Sequence, residues 1–220
     1  HGFRGATMPG FNRAMVPALM LDYGLIARRC DFLKGLLDEA VAGEFLFQIR
    51  GGSEHFLRLD LRHRLAHSSG GLFPQRGQVG NLPSGEAYIV PYEGEQGPSE
   101  SAGELPVQFE EEVVVYSIKN NRAHRVIVEG QQAAREEQLL RAEPAYGNMA
   151  ELGLGVLADF GLEPIGQILL DEKLGLHIAF GRSEHFGGQV GPDDFSRPEE
   201  VVHIDRVYLP QVQPRISVVK

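Results

Sequence analysis

The sequence has little cysteine, no tryptophan and fewer basic than acidic residues. Cys30 is the only cysteine among 220 residues, which excludes an internal disulfide. The 21 lysines and arginines stand against 30 aspartates and glutamates, and the net charge of −9 argues against nucleic acid or an anionic membrane as a partner. No apolar run reaches the roughly 20 residues of a membrane span. With no secretion signal visible, we expect a cytoplasmic protein.

The size of the chain suits one large domain or two small ones, and its 42% hydrophobic content permits a sizeable core. The first residue is His1 rather than methionine, and residues 1–10 read like the interior of a longer protein. An N-terminal targeting signal therefore need not be visible here.

The hydrophobic pattern predicts an α+β fold, with a helical N-terminal segment followed by a mostly β metal-binding body. Helical spacing covers residues 12–42, and Gly43 is expected to end it. Further predictions are a turn at 51–53, loops at 68–86 and 93–106, and a helix at 130–141. Strands are predicted at 45–49, 56–62, 87–91, 107–118, 122–128, 174–180 and 201–209.

Five residues stand out as candidate metal ligands: Glu86, Glu151, His177, His203 and Asp205. Three carboxylates and two imidazoles are a full ligand set for one or two divalent ions. If they lie on a strand, His203 and Asp205 point to the same face. An ordinary hydrogen-bonded His–Asp pair would give the same pattern.

The other three candidates depend more on their surroundings. His177 lies within an apolar strand pattern and needs a polar partner there. Glu86 follows a loop shaped by glycine and proline, and Glu151 lies among small and apolar residues, so it needs a positively charged partner. The polar, glycine-flanked segment 181–188 is expected to line a pocket. Glu110–Glu112 is expected to be a solvated strand start, and His55, His63 and His67 to be surface histidines.

Four stretches resemble the aminopeptidase T family of metallopeptidases, the thermophilic-type leucyl aminopeptidases. They are GNLPSGE at 80–86, ELGLG at 151–155, LDEKLGLHIAFGRS at 170–183 and VHID at 202–205, and they span most of residues 78–209. The resemblance implies a single domain, 1–220, similar to the C-terminal catalytic domain of a longer protein. It also implies a homodimer that removes N-terminal residues from a peptide or small amide substrate.

In that family the equivalents of the five candidate residues hold a pair of divalent ions, zinc or cobalt; we add manganese as a candidate. A metal-activated water would attack the amide, with Glu86 or Glu151 as a ligand or as the general base. Members commonly carry a tyrosine where this chain has Glu184 and His185. We expect His185 to replace that tyrosine by stabilising an oxyanion or donating a proton.

Two other functions remain open. A related branch on a similar scaffold contains ring-cleaving dioxygenases with a single Fe(II), and His177, His203 and Asp205 would supply its three ligands. The retained pair of glutamates favours the two-metal hydrolase, whereas Glu184 and His185 favour different chemistry. The third possibility is a non-catalytic binding module of a biosynthetic complex.

Overall fold

Strands dominate the architecture, which a computed structural model describes for residues 2–49 and 52–220. The helices are α1 (Val16–Leu19), α2 (Tyr23–Asp38), α3 (Gln131–Ala142) and α4 (Ile168–Asp171). The strands are β1 (Gly5–Thr7), β2 (Ala42–Gln48), β3 (Glu54–Asp60), β4 (His67–Ser69), β5 (Val79–Asn81), β6 (Glu86–Ile89), β7 (Ala102–Phe109), β8 (Glu112–Lys119), β9 (Arg122–Val126), β10 (Met149–Gly155), β11 (Leu176–Gly181), β12 (His203–Val207) and β13 (Arg215–Val219). Single turns of 3-10 helix lie at Arg13–Met15, Pro144–Gly147, Leu157–Phe160, Glu172–Leu174, Glu184–Phe186, Pro192–Asp194, Pro198–Glu200 and Pro210–Val212. The fold is α+β, as the sequence predicts.

Two antiparallel sheets form the body of the described chain. The larger has the order β13-β2-β3-β7-β8-β9, and the smaller has the order β12-β11-β10-β6-β4. A separate two-stranded parallel ribbon joins β1 to β5. Strands that are distant in sequence therefore become neighbours, and β6, β10, β11 and β12 lie in one sheet.

The main core lies between the two sheets. Apolar side chains of β2, β3, β7 and β8 meet those of β6, β10 and β11 in one cluster. The ring of Tyr116 from the larger sheet packs edge-on against Phe180 from the smaller one, with centroids 5.0 Å apart. Full burial of a large apolar side chain stabilises the fold by about 1.5–3 kcal/mol. This packing makes the smaller sheet a rigid base for the side chains on its other face.

A second apolar cluster joins α2 to the segment 156–174. It contains Ile26 and Cys30 of the helix together with Leu157, Leu170 and Leu174. The Asp22 side chain caps α2 by accepting a hydrogen bond from the Leu25 N–H at 3.0 Å. The helix lies against β4 and β6. Within the described residues, no helix combines the length and apolar character needed to cross a bilayer.

The prediction that Gly43 ends the first helical region was wrong. The helix ends at Asp38, and Gly43 lies inside β2, which pairs with β3 and β13. A Cβ at Gly43 would lie 3.1 Å from the Phe45 ring, so the absent side chain lets the strand pack closely. One partner strand, β3, follows β2 directly, but the other, β13, lies near the C-terminus, and local sequence could not show that pairing.

The predicted loop at 93–106 and the single strand at 107–118 were also misjudged. Residues Ala102–Phe109 form β7, a turn at Glu110 follows with φ of 37°, and β8 begins at Glu112. Ser99 and Ser101 are buried rather than exposed. Glu110–Glu112 thus contains a turn as well as a strand start.

Several predicted elements agree with the structure. Asn120 and Asn121 both have positive φ and form the tight turn between β8 and β9, between the strands predicted at 107–118 and 122–128. The helix at 130–141 corresponds to α3, and the strands at 174–180 and 201–209 correspond to β11 and β12. Gly51 of the predicted turn at 51–53 lies outside the described residues.

Candidate metal centre

The five predicted ligands all project from one face of the smaller sheet. Asp205 pairs with Ala179, and Ala179 pairs with Glu151. Residues directly opposite each other in antiparallel strands share a face. The same register places His177 opposite Gly153 and His203 opposite Gly181, and it places Glu86 opposite Gly155. Strand alternation turns the intervening residues, including Ala87, Ile178 and Ile204, toward the core.

Gly153 makes room for the imidazole of His177. A Cβ built on Gly153 would lie 2.0 Å from the His177 ring, which is impossible without displacement. The ring therefore lies across β10 and reaches Glu151. The ELGLG stretch supplies both a carboxylate and the space beside it.

Both histidines are held by backbone carbonyls through Nδ1. His177 Nδ1 lies 3.0 Å from the carbonyl oxygen of Glu172, and His203 Nδ1 lies 2.7 Å from that of Arg182. A carbonyl only accepts hydrogen bonds, so Nδ1 donates in each case and Nε2 faces the site. Metal-binding histidines are commonly oriented this way, with the second nitrogen donating to a carbonyl or carboxylate.

The Nε2 atoms converge on Glu151. His177 Nε2 lies 3.3 Å from Glu151 Oε1, and His203 Nε2 lies 3.1 Å from Glu151 Oε2. His203 Nε2 also lies 3.7 Å from Asp205 Oδ1, which confirms that these two residues share a face. His177 Nε2 lies 3.6 Å from Glu86 Oε2.

These distances define two groups of three potential ligands that share Glu151. The first is Glu86, Glu151 and His177, and the second is Glu151, His203 and Asp205. Within each group, one ligand atom per residue lies within 4.8 Å of the others. Glu151, rather than His177, completes the group with His203 and Asp205. His177 belongs to the first group, and the set of His177, His203 and Asp205 suggested by the sequence for a single iron stays a prediction.

Protons supply positive charge to this cluster. Burial alone would lower the pKa of His177, but its hydrogen bond to Glu151 and the charge of that residue raise the pKa to about 9. The pKa of His203 is raised by the same partner against the effect of burial. Burial opposes ionisation of Glu151, yet the two imidazoles lower its pKa. Burial raises the pKa of Asp205 to about 6. A divalent cation would displace protons from such a cluster.

Lys173 was not identified from the sequence, and it changes the electrostatics of the first group. Its Nζ lies 2.5 Å from Glu86 Oε1 and 2.5 Å from Glu172 Oε1, and its side chain is only 5% exposed. Burial favours the neutral amine, but the two carboxylates raise the pKa of Lys173 and keep it charged. The other carboxylate oxygen, Glu86 Oε2, is buried without a hydrogen-bond partner among the described residues. The available signal was a lysine next to two acidic residues, Asp171 and Glu172, just before the apolar strand pattern that contains His177.

A cavity of about 540 Å³ lies next to the cluster. This volume is typical of small-molecule sites. All five predicted ligands and Lys173 contribute to its lining. The predicted loop 68–86 and segment 181–188 also contribute, through Ser68–Phe73, Gln78–Asn81 and Phe186. Leu72, Phe73, Ile168 and Leu169 supply apolar surface.

Aromatic rings form one wall of this cavity. Tyr88 packs against Phe186 with centroids 4.9 Å apart, and Phe186 lies 5.4 Å from the ring of His203. His67, predicted as a surface histidine, is exposed but stacks on Tyr88 at 4.9 Å. Burial, followed by the charges of Glu151 and other carboxylates, raises the pKa of Tyr88 to about 12, so the phenol keeps its proton at neutral pH.

The structure places His185 beside the cluster rather than inside the cavity. Its ring lies edge-on to that of His203 at 5.0 Å, and its residue is exposed. Burial of part of the ring lowers its pKa, as does the charge of His203. Phe186, the next residue, lines the cavity instead. The catalytic role expected for His185 stays a prediction.

The fold is similar to a solved structure of 2,5-dihydroxypyridine dioxygenase from Pseudomonas putida KT2440. The TM-score is 0.64 and 15% of residues are identical, over 91% of this chain and 60% of the dioxygenase chain. The present chain thus spans less than two thirds of that protein. The sequence matches no protein-family model and no curated protein. At this level of identity, the similarity establishes the fold alone.

Proposed function

We propose that this protein is an enzyme that holds one divalent ion, Fe(II), on Glu151, His203 and Asp205 and uses it for oxidative cleavage of an aromatic ring. One observation carries the choice of a single ion. The first ligand group, which contains Glu86, already holds a cation, because Lys173 pairs with Glu86 at 2.5 Å. Among the described residues, the group around His203 has carboxylates and an imidazole but no lysine or arginine partner.

The donors of that group suit the ion. Carboxylate oxygens and imidazole nitrogens are ligands of non-haem iron, and three protein ligands leave positions for small molecules; the common triad has two histidines and one carboxylate, whereas this group has one histidine and two carboxylates. His203 is oriented by the carbonyl of Arg182, and Glu151 is oriented by His177 at 3.3 Å. These contacts fix the ligand atoms before an ion binds.

The cavity favours a flat ligand. Tyr88 and Phe186 present aromatic surface next to His203, and aromatic rings stack favourably in offset or edge-on arrangements. Protonated Tyr88 offers a hydrogen-bond donor to an oxygen substituent. When bound, Fe(II) supplies the redox chemistry that allows dioxygen to react with such a ring. The protein binds and orients the ring, and Leu72 and Phe73 supply apolar surface to the cavity.

The similarity of fold to a dioxygenase supports this proposal. It agrees with the alternative drawn from the sequence, except that Glu151 replaces His177 as the third ligand. Peptide hydrolysis draws no comparable support from the comparisons.

A two-metal aminopeptidase is the second candidate, and a specific observation favours it. The two ligand groups share Glu151, as a bridging carboxylate would be shared between ions about 3.5–4 Å apart. The unpartnered oxygen of Glu86 could then bind the second ion. This candidate requires Lys173 to give up part of its contact with Glu86.

Oxygen consumption distinguishes the two candidates. We expect the protein loaded anaerobically with Fe(II) to consume oxygen when given a dihydroxylated aromatic or heteroaromatic ring, and the zinc-loaded protein to consume none. His203→Ala should abolish the reaction, whereas His124→Ala, at an exposed position of β9, should not. Hydrolysis of aminoacyl amides by the zinc or cobalt form, without oxygen uptake from the iron form, would contradict the proposal.

A further inference from the structure

Glu93 is a buried carboxylate outside the ligand cluster that collects donors from three parts of the chain. Its side chain is 5% exposed. Glu93 accepts hydrogen bonds from Asn148 Nδ2 at 2.7 Å and Ser183 Oγ at 2.6 Å, and from the Gln189 N–H. Arg64 adds a guanidinium contact at 3.3 Å. Such charge-assisted hydrogen bonds are stronger than neutral ones.

These bonds hold the segment 183–190. Ser183 and Gln189, near its two ends, both donate to Glu93, and the Ser183 N–H donates to the Val190 carbonyl at 2.9 Å. A further hydrogen bond holds the middle of the segment, because Arg64 Nη1 donates to the Gly187 carbonyl at 3.2 Å. The segment is therefore closed at its base, and Phe186 lies within the closed part.

We propose that Glu93 is a positioning residue that holds Phe186 against His203 and thereby sets the affinity of the cavity for a planar ring. Phe186 links the segment to the site because its ring contacts both Tyr88 and His203. The segment contributes no metal ligand, and it reaches the cluster through the rings of His185 and Phe186, of which Phe186 lines the cavity. The inference rests on the proposed function for the identity of the ring ligand.

One feature requires a carboxylate at position 93, and a second shows how tightly the segment packs around it. A carboxylate only accepts hydrogen bonds, whereas a glutamine would turn an amide donor toward other donors. Space is also restricted: a Cβ at Gly188 would lie 2.2 Å from Ser183 Oγ and 2.8 Å from Glu93 Oε2. The segment thus closes tightly around Glu93.

Glu93→Gln tests the proposal, with Glu95→Gln as the matched control. Glu95 also pairs with Arg64, at 2.5 Å, but it makes no hydrogen bond to the 183–190 segment among the described residues. We expect Glu93→Gln to speed amide hydrogen exchange in 183–190 and to weaken nitrocatechol binding to the Fe(II)-loaded protein by about 10- to 100-fold. The affinity for Fe(II) itself should not change. Ser183→Ala, which removes one donor and keeps the carboxylate, should shift both readouts less in the same direction.

Unchanged exchange in 183–190, or an equal effect of Glu95→Gln, would overturn the positioning role. Faster exchange with unchanged nitrocatechol affinity would overturn the link to the ring site. If the wild-type protein does not bind nitrocatechol at all, the proposed function fails instead. Hydrogen exchange then still decides whether Glu93 holds the segment.

Discussion

At the scale of single residues, the pairing of Lys173 with Glu86 decides how the site is interpreted. Both side chains are nearly buried, and their charged atoms lie 2.5 Å apart. A buried ion pair contributes little net stability, but removing one partner leaves an uncompensated charge. Lys173 therefore supplies positive charge where a second metal ion would otherwise be required.

Lys173→Met should destabilise the metal-free protein by about 3–5 kcal/mol, because the Glu86 carboxylate loses its buried cation. Glu86→Gln should also destabilise it, since Lys173 then keeps only Glu172. The double variant should cost less than the two single changes added together. Urea unfolding of all four proteins completes this cycle. Strict additivity would show that the two groups do not interact.

Residues on one strand were predictable, whereas residues brought together from distant segments were not. The spacing of His203 and Asp205 indicated a shared face, and the structure confirms it at 3.7 Å. Glu93 and Ser183 are 90 positions apart, and nothing local connects them. Phe186 lies in a segment that was expected to line a pocket, but the sequence pointed to its neighbour His185 as the candidate catalytic residue.

At the scale of elements, the N-terminus of helix α3 is capped by a side chain from strand β8. Gly130 at its N-cap offers no side-chain hydrogen bond. Glu112 of β8 accepts from the N–H groups of Gln132 at 3.0 Å and Ala133 at 2.8 Å instead. A helix N-terminus favours such a negative charge. The sequence predicted the helix but not the source of its cap.

Glu112→Ala should lower the thermal unfolding midpoint, because two N–H groups of α3 lose their acceptor. The hydrogen bonds from Gln132 and Ala133 lower the pKa of Glu112. Its contribution to stability is therefore complete above the unfolded-state pKa and is lost as the pH falls through the folded-state pKa. The difference between variant and wild type should shrink on acidification.

Thermal melts across acidic pH measure this effect. Glu111→Ala, at an adjacent exposed position, is the matched control and should leave the midpoint close to that of the wild type. A difference between Glu112→Ala and wild type that does not depend on pH would contradict the capping role.

At the scale of the whole molecule, two sheets share one core, and the outer face of the smaller one carries the site. The α+β class followed from local patterns. The order β12-β11-β10-β6-β4 did not, because it depends on pairings between distant strands. This order brings Glu86 of β6 to the same site as His203 and Asp205 of β12. The single domain, the homodimer and the cytoplasmic location stay predictions.

The number of metal ions per chain tests the account most directly. We would titrate Fe(II) anaerobically into the wild type, His203→Ala and the Lys173→Met/Glu86→Gln double variant, and measure bound iron by elemental analysis. The account predicts one ion in the wild type, none in His203→Ala and one in the double variant. Two ions in the wild type that fall to one in the double variant would contradict the single-ion centre and favour the two-metal hydrolase.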